Sequence, residues 1–536
     1  MTSLFGGFSE MLRAKGEGKI PFENQLKRIR TFVEQVEEEK RIPADLLFMA
    51  TYMASITTAG VSRPDIFSYT GRRYEYVPTK YVAKVDYFVK RWNYSYAEGL
   101  KIVAKKIRNE VLQSVLNRYA NSIESGVPDE DFLERELQTI RSVYRNTVEQ
   151  GLEMLKKWGD AYIAMLFSGV LVALIIMLSV AIFAPSGIES TLNLSYMIVI
   201  FISVFGLVTM YRAVPEDRRT HGLPDRCSRE QSAIRRLERP LLLVMGAGCF
   251  ILWLTGVSAG FIYLLAGILL APLGIIGFID DNRIVGRDSD FPTFIRTLGS
   301  VMGGKGVPMV VGFTEVDRAS LPKIRDLVDS LFSKLNLGLD ENQSWNRFIG
   351  DSGSNSIYKY TNIFRDSVTL GGSPDKVGLI VGTSSLEQVL LRDKRHMVSM
   401  GFVTLVIPMH AAMVGILLFL FHIMVNISNA IHTVVGGLDV TQSAISGSSS
   451  MGGMVSGMNF LMSFPEDKMT TYVMIIILLI TISNIIAGRI VYGGDRYIYY
   501  LFATIFFTIS GALVIIAPIV VGIFFTIPTF PVGGIT

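Results

Sequence analysis

The chain is short of charge. Only 18% of its 536 residues are Asp, Glu, Lys or Arg, where a soluble chain carries about a quarter. Cysteine is nearly missing. Cys227 and Cys249 form no CxxC pair, which excludes a disulfide framework and a zinc-ribbon set. Five scattered histidines give no HExxH motif, and no Ser-His constellation has supporting context. No Asp or Glu lies inside any of the long apolar runs. Enzymatic chemistry and ion-coupled transport therefore have few residues to rest on, and the sequence predicts a protein that is not an enzyme and carries no cofactor or metal.

What is abundant is apolar residue, 50% of the chain, and it is clustered. Uncharged runs occupy about 161–184, 195–211, 241–257, 258–279, 400–424, 471–487 and 498–527. Each is long enough, or nearly so, to cross a hydrocarbon core of roughly 30 Å as a helix. Seven spans follow, with 241–279 folded as a hairpin near Gly256–Gly260. Residues 1–42 are polar and lack an apolar core, so no signal peptide is expected.

Basic residues set the orientation. With seven spans, one side holds residues 1–160, 212–240, 280–399 and 488–497. Of the 51 Lys and Arg residues only Lys468 falls on the other side. A misplaced span would scramble that segregation. The N-terminus is expected in the cytoplasm and the C-terminus outside. The cytoplasmic side holds 50 basic residues and 43 carboxylates, an excess of seven. Nothing in it predicts nucleic-acid binding.

The two large charged blocks read as copies of one another. Asp45, Ser55 and Gly60 in the first correspond to Asp290, Ser300 and Gly303–Gly306 in the second. Val85-Asp86 answers Val328-Asp329, and Asn93 and Glu98 answer Asn336 and Glu341. Gly126-Val-Pro128-Asp129 answers Gly372-Ser-Pro374-Asp375. An ordered series over about 85 residues predicts a duplication. Both copies show apolar residues at helical steps, as in 45–59 and 81–92. The Gly-x-Pro-Asp element is read as helix punctuation: Gly closes one helix, Pro opens the next, and the acids face its positive end. No proline interrupts the chain from Asp131 into the first span, so one long helix should join the first bundle stiffly to the membrane. Residues 386–394 approach Met400 in the same way.

The expected architecture is all-α: a polytopic membrane protein with about seven transmembrane helices and two duplicated cytoplasmic helical bundles. Its parts are an N-terminal segment (1–42), a first bundle (43–160) and four spans (161–279) enclosing an Arg-rich loop (212–240). A second bundle (280–399), a fifth span (400–424), an external Ser/Gly/Met-rich loop (425–470) and the last two spans with an external tail (471–536) follow.

Two features invite sharper readings. Gly299-Ser-Val-Met-Gly-Gly-Lys305-Gly306 imitates a nucleotide loop but ends in Gly306 where Ser or Thr must hold magnesium, so close helix packing is the better account. His410 and His422 share the fifth span but not a face. The reading for His410, beside Pro408, is a satisfied packing role.

The duplicated bundle, its Asp-led amphipathic helix and its Gly-x-Pro-Asp turn resemble the type II secretion F domain over about 45–184 and 290–424. The most specific stretch is Asp290-Phe-Pro-Thr-Phe-Ile-Arg-Thr-Leu298. The first copy departs from it, with Asp45-Leu-Leu. Seven spans, four of them between the bundles, look like the archaeal branch of that family. The resemblance implies a membrane platform for an archaellum or type IV pilus-like filament. Such a platform works between a cytoplasmic hexameric secretion ATPase and pilin-like or archaellin subunits, together with other filament machinery and membrane lipid, and a homodimer is left open. Candidate ATPase-facing positions are Lys80, Lys84, Lys90 and Arg91 in the first copy and Lys323, Arg325 and Lys334 in the second. Arg218, Arg219, Arg226, Arg229, Arg235 and Arg236 in the Arg-rich loop are candidate partner or lipid contacts, because arginine forks suit carboxylates and phosphates. The alternatives are a secondary transporter with large regulatory domains and a scaffold for some other cytoplasmic partner.

Overall fold

The computed structural model describes residues 22–183, 188–213, 216–223, 226–438 and 465–524. The Ser/Gly/Met-rich stretch 443–458, residues 1–21 of the N-terminal segment and the tail from 525 lie outside the described residues. Among the described residues the fold is helical, without a strand longer than the single bridge Thr220–Ser354.

The first bundle is built from α1 (Phe22–Thr57), α2 (Arg63–Gly71), α3 (Thr79–Trp92), α4 (Tyr96–Ala104) and α5 (Glu110–Glu124). It closes on α6 (Asp129–Phe183), which continues without a break into the membrane. Helices α7 (Ile188–Ala213) and α8 (Arg229–Leu254) are the second and third spans. Helix α9 (Ala259–Lys305) is the fourth span and, without a break, the first helix of the second bundle. That bundle continues through α10 (Met309–Glu315), α11 (Arg325–Asn336), α12 (Glu341–Ser352) and α13 (Asn355–Thr369). It closes on α14 (Pro374–Leu438), which is again one helix into the membrane. The last two spans are α15 (Glu466–Tyr492) and α16 (Ile498–Phe524).

Among the described residues seven helices are thus long and apolar enough to cross a membrane, and the protein is an all-α, multi-pass membrane protein. The hairpin between α8 and α9 turns at Gly256, whose φ of 69° is a left-handed conformation that glycine adopts without cost. Helix α14 is central, touching α6, α9, α15 and α16, while α8 packs against α9.

Each bundle runs through six helices in the same order, and the last enters the membrane. The 55 residues of α6 give a rod of about 80 Å at 1.5 Å per residue. Its apolar stripe, Leu133, Leu137, Ile140, Tyr144, Val148, Leu152 and Leu155, is buried along the bundle, so rod and bundle move together. The closing turns differ in one detail from the sequence reading. Gly126 (φ 72°) closes α5, with Val127 N–H donating to Ser122 O. In the second bundle the left-handed residue is Gly371 (φ 94°), and Gly372 N–H donates to Ser367 O. Gly371, not Gly372, is the counterpart of Gly126. The second turn carries one extra residue, which spacing alone does not locate.

The nucleotide-loop imitation is helix. Residues 299–305 belong to α9, and Gly306 caps it with φ 60°. A Cβ at Gly299 would lie 2.4 Å from Pro374 O, and one at Gly303 2.8 Å from the Asp375 Cβ. These small residues let α9 pass the start of α14.

Candidate functional site: matched bundle helices and a polar junction with the membrane

The two anchor aspartates do the same work. Asp45, inside α1, accepts Val77 N–H at 3.1 Å just before α3. Asp290, inside α9, accepts Lys323 N–H at 2.6 Å and Ile324 N–H at 3.3 Å just before α11. A helix start carries unpaired N–H groups and a positive dipole end, and a carboxylate satisfies both. Each aspartate thereby fixes the amphipathic helix that follows it. Val85 of α3 and Val328 of α11 are fully buried.

What these helices leave outside is the candidate partner surface. Lys84, Lys90 and Arg91 are exposed on α3, and Lys80 is half-buried against Glu38 at 2.6 Å. Lys90 pairs with Asp86 at 2.8 Å. Lys323 and Arg325 are exposed, Arg325 lies 3.6 Å from Asp329, and Lys334 is half-buried. Sequence reasoning missed the apolar part. The turn after α3 presents Trp92 and Tyr94, packed on Phe88 at 5.1 and 6.4 Å between ring centres. Trp92 is 61% exposed. The turn after α11 presents Leu337, 76% exposed, and Leu339. Large apolar side chains are thus left in water at the corresponding place of both bundles, which makes these two turns a candidate contact patch. Leu337 lies off the stripe of Val328, Leu331 and Leu335 and could have been noticed, whereas Trp92 continues the stripe of Val82, Val85 and Val89 and reads from sequence as core.

The bundles are locked to each other. Lys359 of α13 donates to Asp45 at 2.7 Å and lies 4.3 Å from the centre of the Phe48 ring. Arg145 of α6 grips Glu387 of α14 with bonds of 2.5 and 2.6 Å. Arg141 donates to Ile380 O at 2.8 Å, and Arg73 pairs with Asp366.

Where α14 meets the membrane, a buried polar junction ties spans to bundle. Arg392 takes Asp217 as a fork, with bonds of 2.7 and 3.0 Å, and Asp288 of α9 with its other nitrogen. Ser354 donates to that same Asp288. Arg219 pairs with Asp281 at 2.5 Å and donates to Tyr492 O at 3.2 Å. Arg392 and Arg219 hold the Asp217 carboxyl below its ordinary range despite burial.

Part of the Arg-rich loop is therefore internal. Arg219 is 3% exposed, so the structure corrects its reading as a partner or lipid contact: its guanidinium is occupied inside the protein. Arg235 is half-buried and donates to Leu223 O at 3.2 Å. Arg218 pairs with Glu216 at 2.7 Å but stays exposed, as do Arg226, Arg229 and Arg236.

One contact of the loop is expected to respond to pH. His221 N–H donates to Gly353 O at 3.4 Å, Asn355 N–H donates to Arg219 O at 2.8 Å, and the His221 ring lies 3.3 Å from Gly350 O. Burial pushes the His221 pKa down. Its folded-state pKa is thus below the unfolded value of about 6.5, so its stability contribution is complete above that value and is lost as pH falls through the folded pKa. Between pH 7 and pH 5 the amides of His221 and Asn355 should lose hydrogen-exchange protection, after correction for intrinsic rates. His221→Gln should remove the pH dependence.

In the membrane, His410 is satisfied on both nitrogens, by Ser510 Oγ and Asn484 Nδ2, each at 2.9 Å. Tyr162 of α6 donates to Asn484 at 3.0 Å, and Thr481 bonds Ser510. This network joins α6, α14, α15 and α16, as the packing reading of His410 expects. Among the described residues no three His, Cys, Asp or Glu side chains are grouped to hold a metal.

Residues 49–177, from the middle of α1 through the first span, match the family model described as type II secretion system (T2SS), protein F. That stretch of the chain is similar to the type II secretion F domain. Its relatives include the flagella accessory protein J of Methanocaldococcus jannaschii, 22% identical over 382 residues, covering 69% of this chain and 67% of that protein. The protein of the same name from Methanococcus voltae is 23% identical over 338 residues, covering 58% of each chain. The chain thus spans only about three-fifths to two-thirds of the length of these relatives. No solved structure matches it. The matched stretch ends inside α6, so it runs into the first span without a break.

Proposed function

We propose that this chain is the membrane platform on which an archaellum or type IV pilus-like filament is assembled, and that it couples a cytoplasmic secretion ATPase to the insertion of pilin-like subunits. The observation that carries the reading is the pair of unbroken helices, α6 and α14, each of which is at once the last helix of a bundle and a membrane span. A force on either bundle reaches the bilayer along a rod. A flexible linker would dissipate it.

The F domain and the relatives named flagella accessory protein J support this reading. In it the two bundles are duplicated cytoplasmic domains with the boundaries read from the sequence, the N-terminus is cytoplasmic and the C-terminus outside. The platform hydrolyses nothing itself. The ATPase meets the matched ends of α3 and α11, where cations surround exposed apolar groups. Such a surface suits a partner with acidic residues around an apolar pocket: the charges govern approach and the central apolar anchors govern residence.

The test is co-purification from native membranes after mild crosslinking. The variant Lys84→Glu, Lys90→Glu, Arg91→Glu, Lys323→Glu, Arg325→Glu should insert normally and lose the ATPase. The double variant Trp92→Ser, Leu337→Ser should weaken association by at least tenfold, about 1.4 kcal/mol. Undiminished ATPase recovery with both variants would sink the interface. Efficient crosslinking that returns neither ATPase nor pilin would sink the platform reading itself.

A further inference from the structure

Beside the polar junction stands a group of four cations. Lys40 of α1, Arg212 at the end of α7, Arg395 of α14 and Arg489 in the last turn of α15 come from four different helices. Among the described residues none of them pairs with a carboxylate. The carboxylates of the region are committed elsewhere. Asp217 and Asp288 are held by Arg392, Asp281 by Arg219 and Glu216 by Arg218.

The four are gathered. Lys40 Nζ donates to Tyr211 O, next to Arg212, and lies 3.4 Å from the centre of the Tyr211 ring. The Lys40 carbonyl also accepts Glu216 N–H at 3.3 Å, so α1 is seated against the end of α7. Arg395 donates to Ile490 O at 2.9 Å, one residue beyond Arg489. A Cβ on Gly493, whose N–H caps α15 on Arg489 O, would lie 2.8 Å from the Arg395 guanidinium carbon. Arg489 stacks 5.4 Å from the Tyr499 ring centre, and its Nε is buried with no hydrogen-bond partner. A buried donor without an acceptor is costly and calls for an explanation. Burial and the neighbouring charges of Arg395, Arg489 and Arg212 push the Lys40 pKa down to about 8, with only Glu216 opposing them. The cluster sits where three spans end, flanked by Tyr211 and Tyr499, at the level where tyrosines and basic side chains meet lipid headgroups.

We propose that Lys40, Arg212, Arg395 and Arg489 form a binding site for a phosphate group at the membrane boundary, supplied by an anionic lipid headgroup or by a free phosphate anion. Bound there, the anion neutralises the surplus, offers an acceptor to Arg489 Nε and links α1 of the first bundle to three spans. The site is separate from the α3 and α11 surface, so the two stand or fall independently.

The test uses the full chain in nanodiscs of phosphatidylcholine, with or without phosphatidylglycerol. Native mass spectrometry should find phosphatidylglycerol retained over phosphatidylcholine. The triple variant Lys40→Gln, Arg212→Gln, Arg489→Gln should lose that preference, with each lost cation weakening retention roughly fivefold. Arg395 is left intact because it also caps α15. In lipid-free detergent, inorganic phosphate should raise the melting temperature of the wild type if the source is the soluble anion, and leave it unchanged if the lipid is required. If the triple variant does not fold, Arg212→Gln alone is the probe, since Arg212 is exposed, and Arg212→Lys should restore binding. Equal retention of both lipids by the wild type together with no phosphate response, or equal behaviour of wild type and variant, overturns the site.

Discussion

Replacing Arg392 with Met should destabilise the protein by about 3–5 kcal/mol, the cost of leaving a buried carboxylate pair without its cation. Arg392 is 6% exposed and joins Asp217 of the Arg-rich loop to Asp288 of α9. Without it, Asp288 loses its paired cation and Asp217 keeps only Arg219 at 3.8 Å, so in this region of low dielectric one carboxylate must take up a proton or the loop must shift. The triple variant Arg392→Met, Asp217→Asn, Asp288→Asn removes all three charges and should recover most of the loss, because the penalty comes from unpaired charge rather than from the missing bridge. Thermal unfolding followed by tryptophan fluorescence would read both. A single variant as stable as the wild type would show that the junction does not hold bundle to membrane. The spans do not depend on it, so membrane insertion should be unchanged.

The second large effect is expected at Gly267. Helices α9 and α16 approach backbone to backbone: a Cβ at Gly267 would lie 2.5 Å from Thr508 Oγ and 2.9 Å from Thr508 N. A Cβ at Gly511 on the facing helix would lie 2.5 Å from Leu264 N. A side chain at either place must part the helices, since backbone cannot rotate away as a side-chain tip can. Gly267→Leu should therefore cost about 3 kcal/mol, the upper part of the overpacking range, and lower the melting temperature. Gly246→Leu on α8, where a Cβ meets nothing within 4 Å, should change it little. Close approach at small residues is how helices associate in lipid, where the hydrophobic effect between them is weak. An equal effect at the two glycines would mean that bulk in the membrane, not this seam, is what matters.

These experiments probe different links of one chain of effects. The aspartates Asp45 and Asp290 hold the α3 and α11 surfaces on their bundles. The unbroken helices α6 and α14 join bundle to span, the Arg392 junction ties the Arg-rich loop to α9 and α14, and the glycine seam packs α9 on α16.

The sequence by itself determined the seven spans, the helical class and the two rods. Each rests on a long uniform pattern: uncharged runs, a 3.6-residue stripe and the absence of proline between Asp131 and the first span. Such patterns act locally and need no knowledge of what packs where. Asp45 and Asp290 were visible as matching anchors, but not as caps on helices more than thirty residues away. The seam glycines Gly260, Gly267 and Gly274 recur every seven residues on α9, a signal that the apolar background hides. Only the tertiary structure decided which arginines of the Arg-rich loop turn inward. Arg218 and Arg219 are chain neighbours of the same type, yet one is exposed and the other holds Asp281 in the interior. That choice depends on where Asp281, Asp288 and Arg392 arrive from distant helices, and long-range electrostatic pairing leaves no periodic trace along a chain.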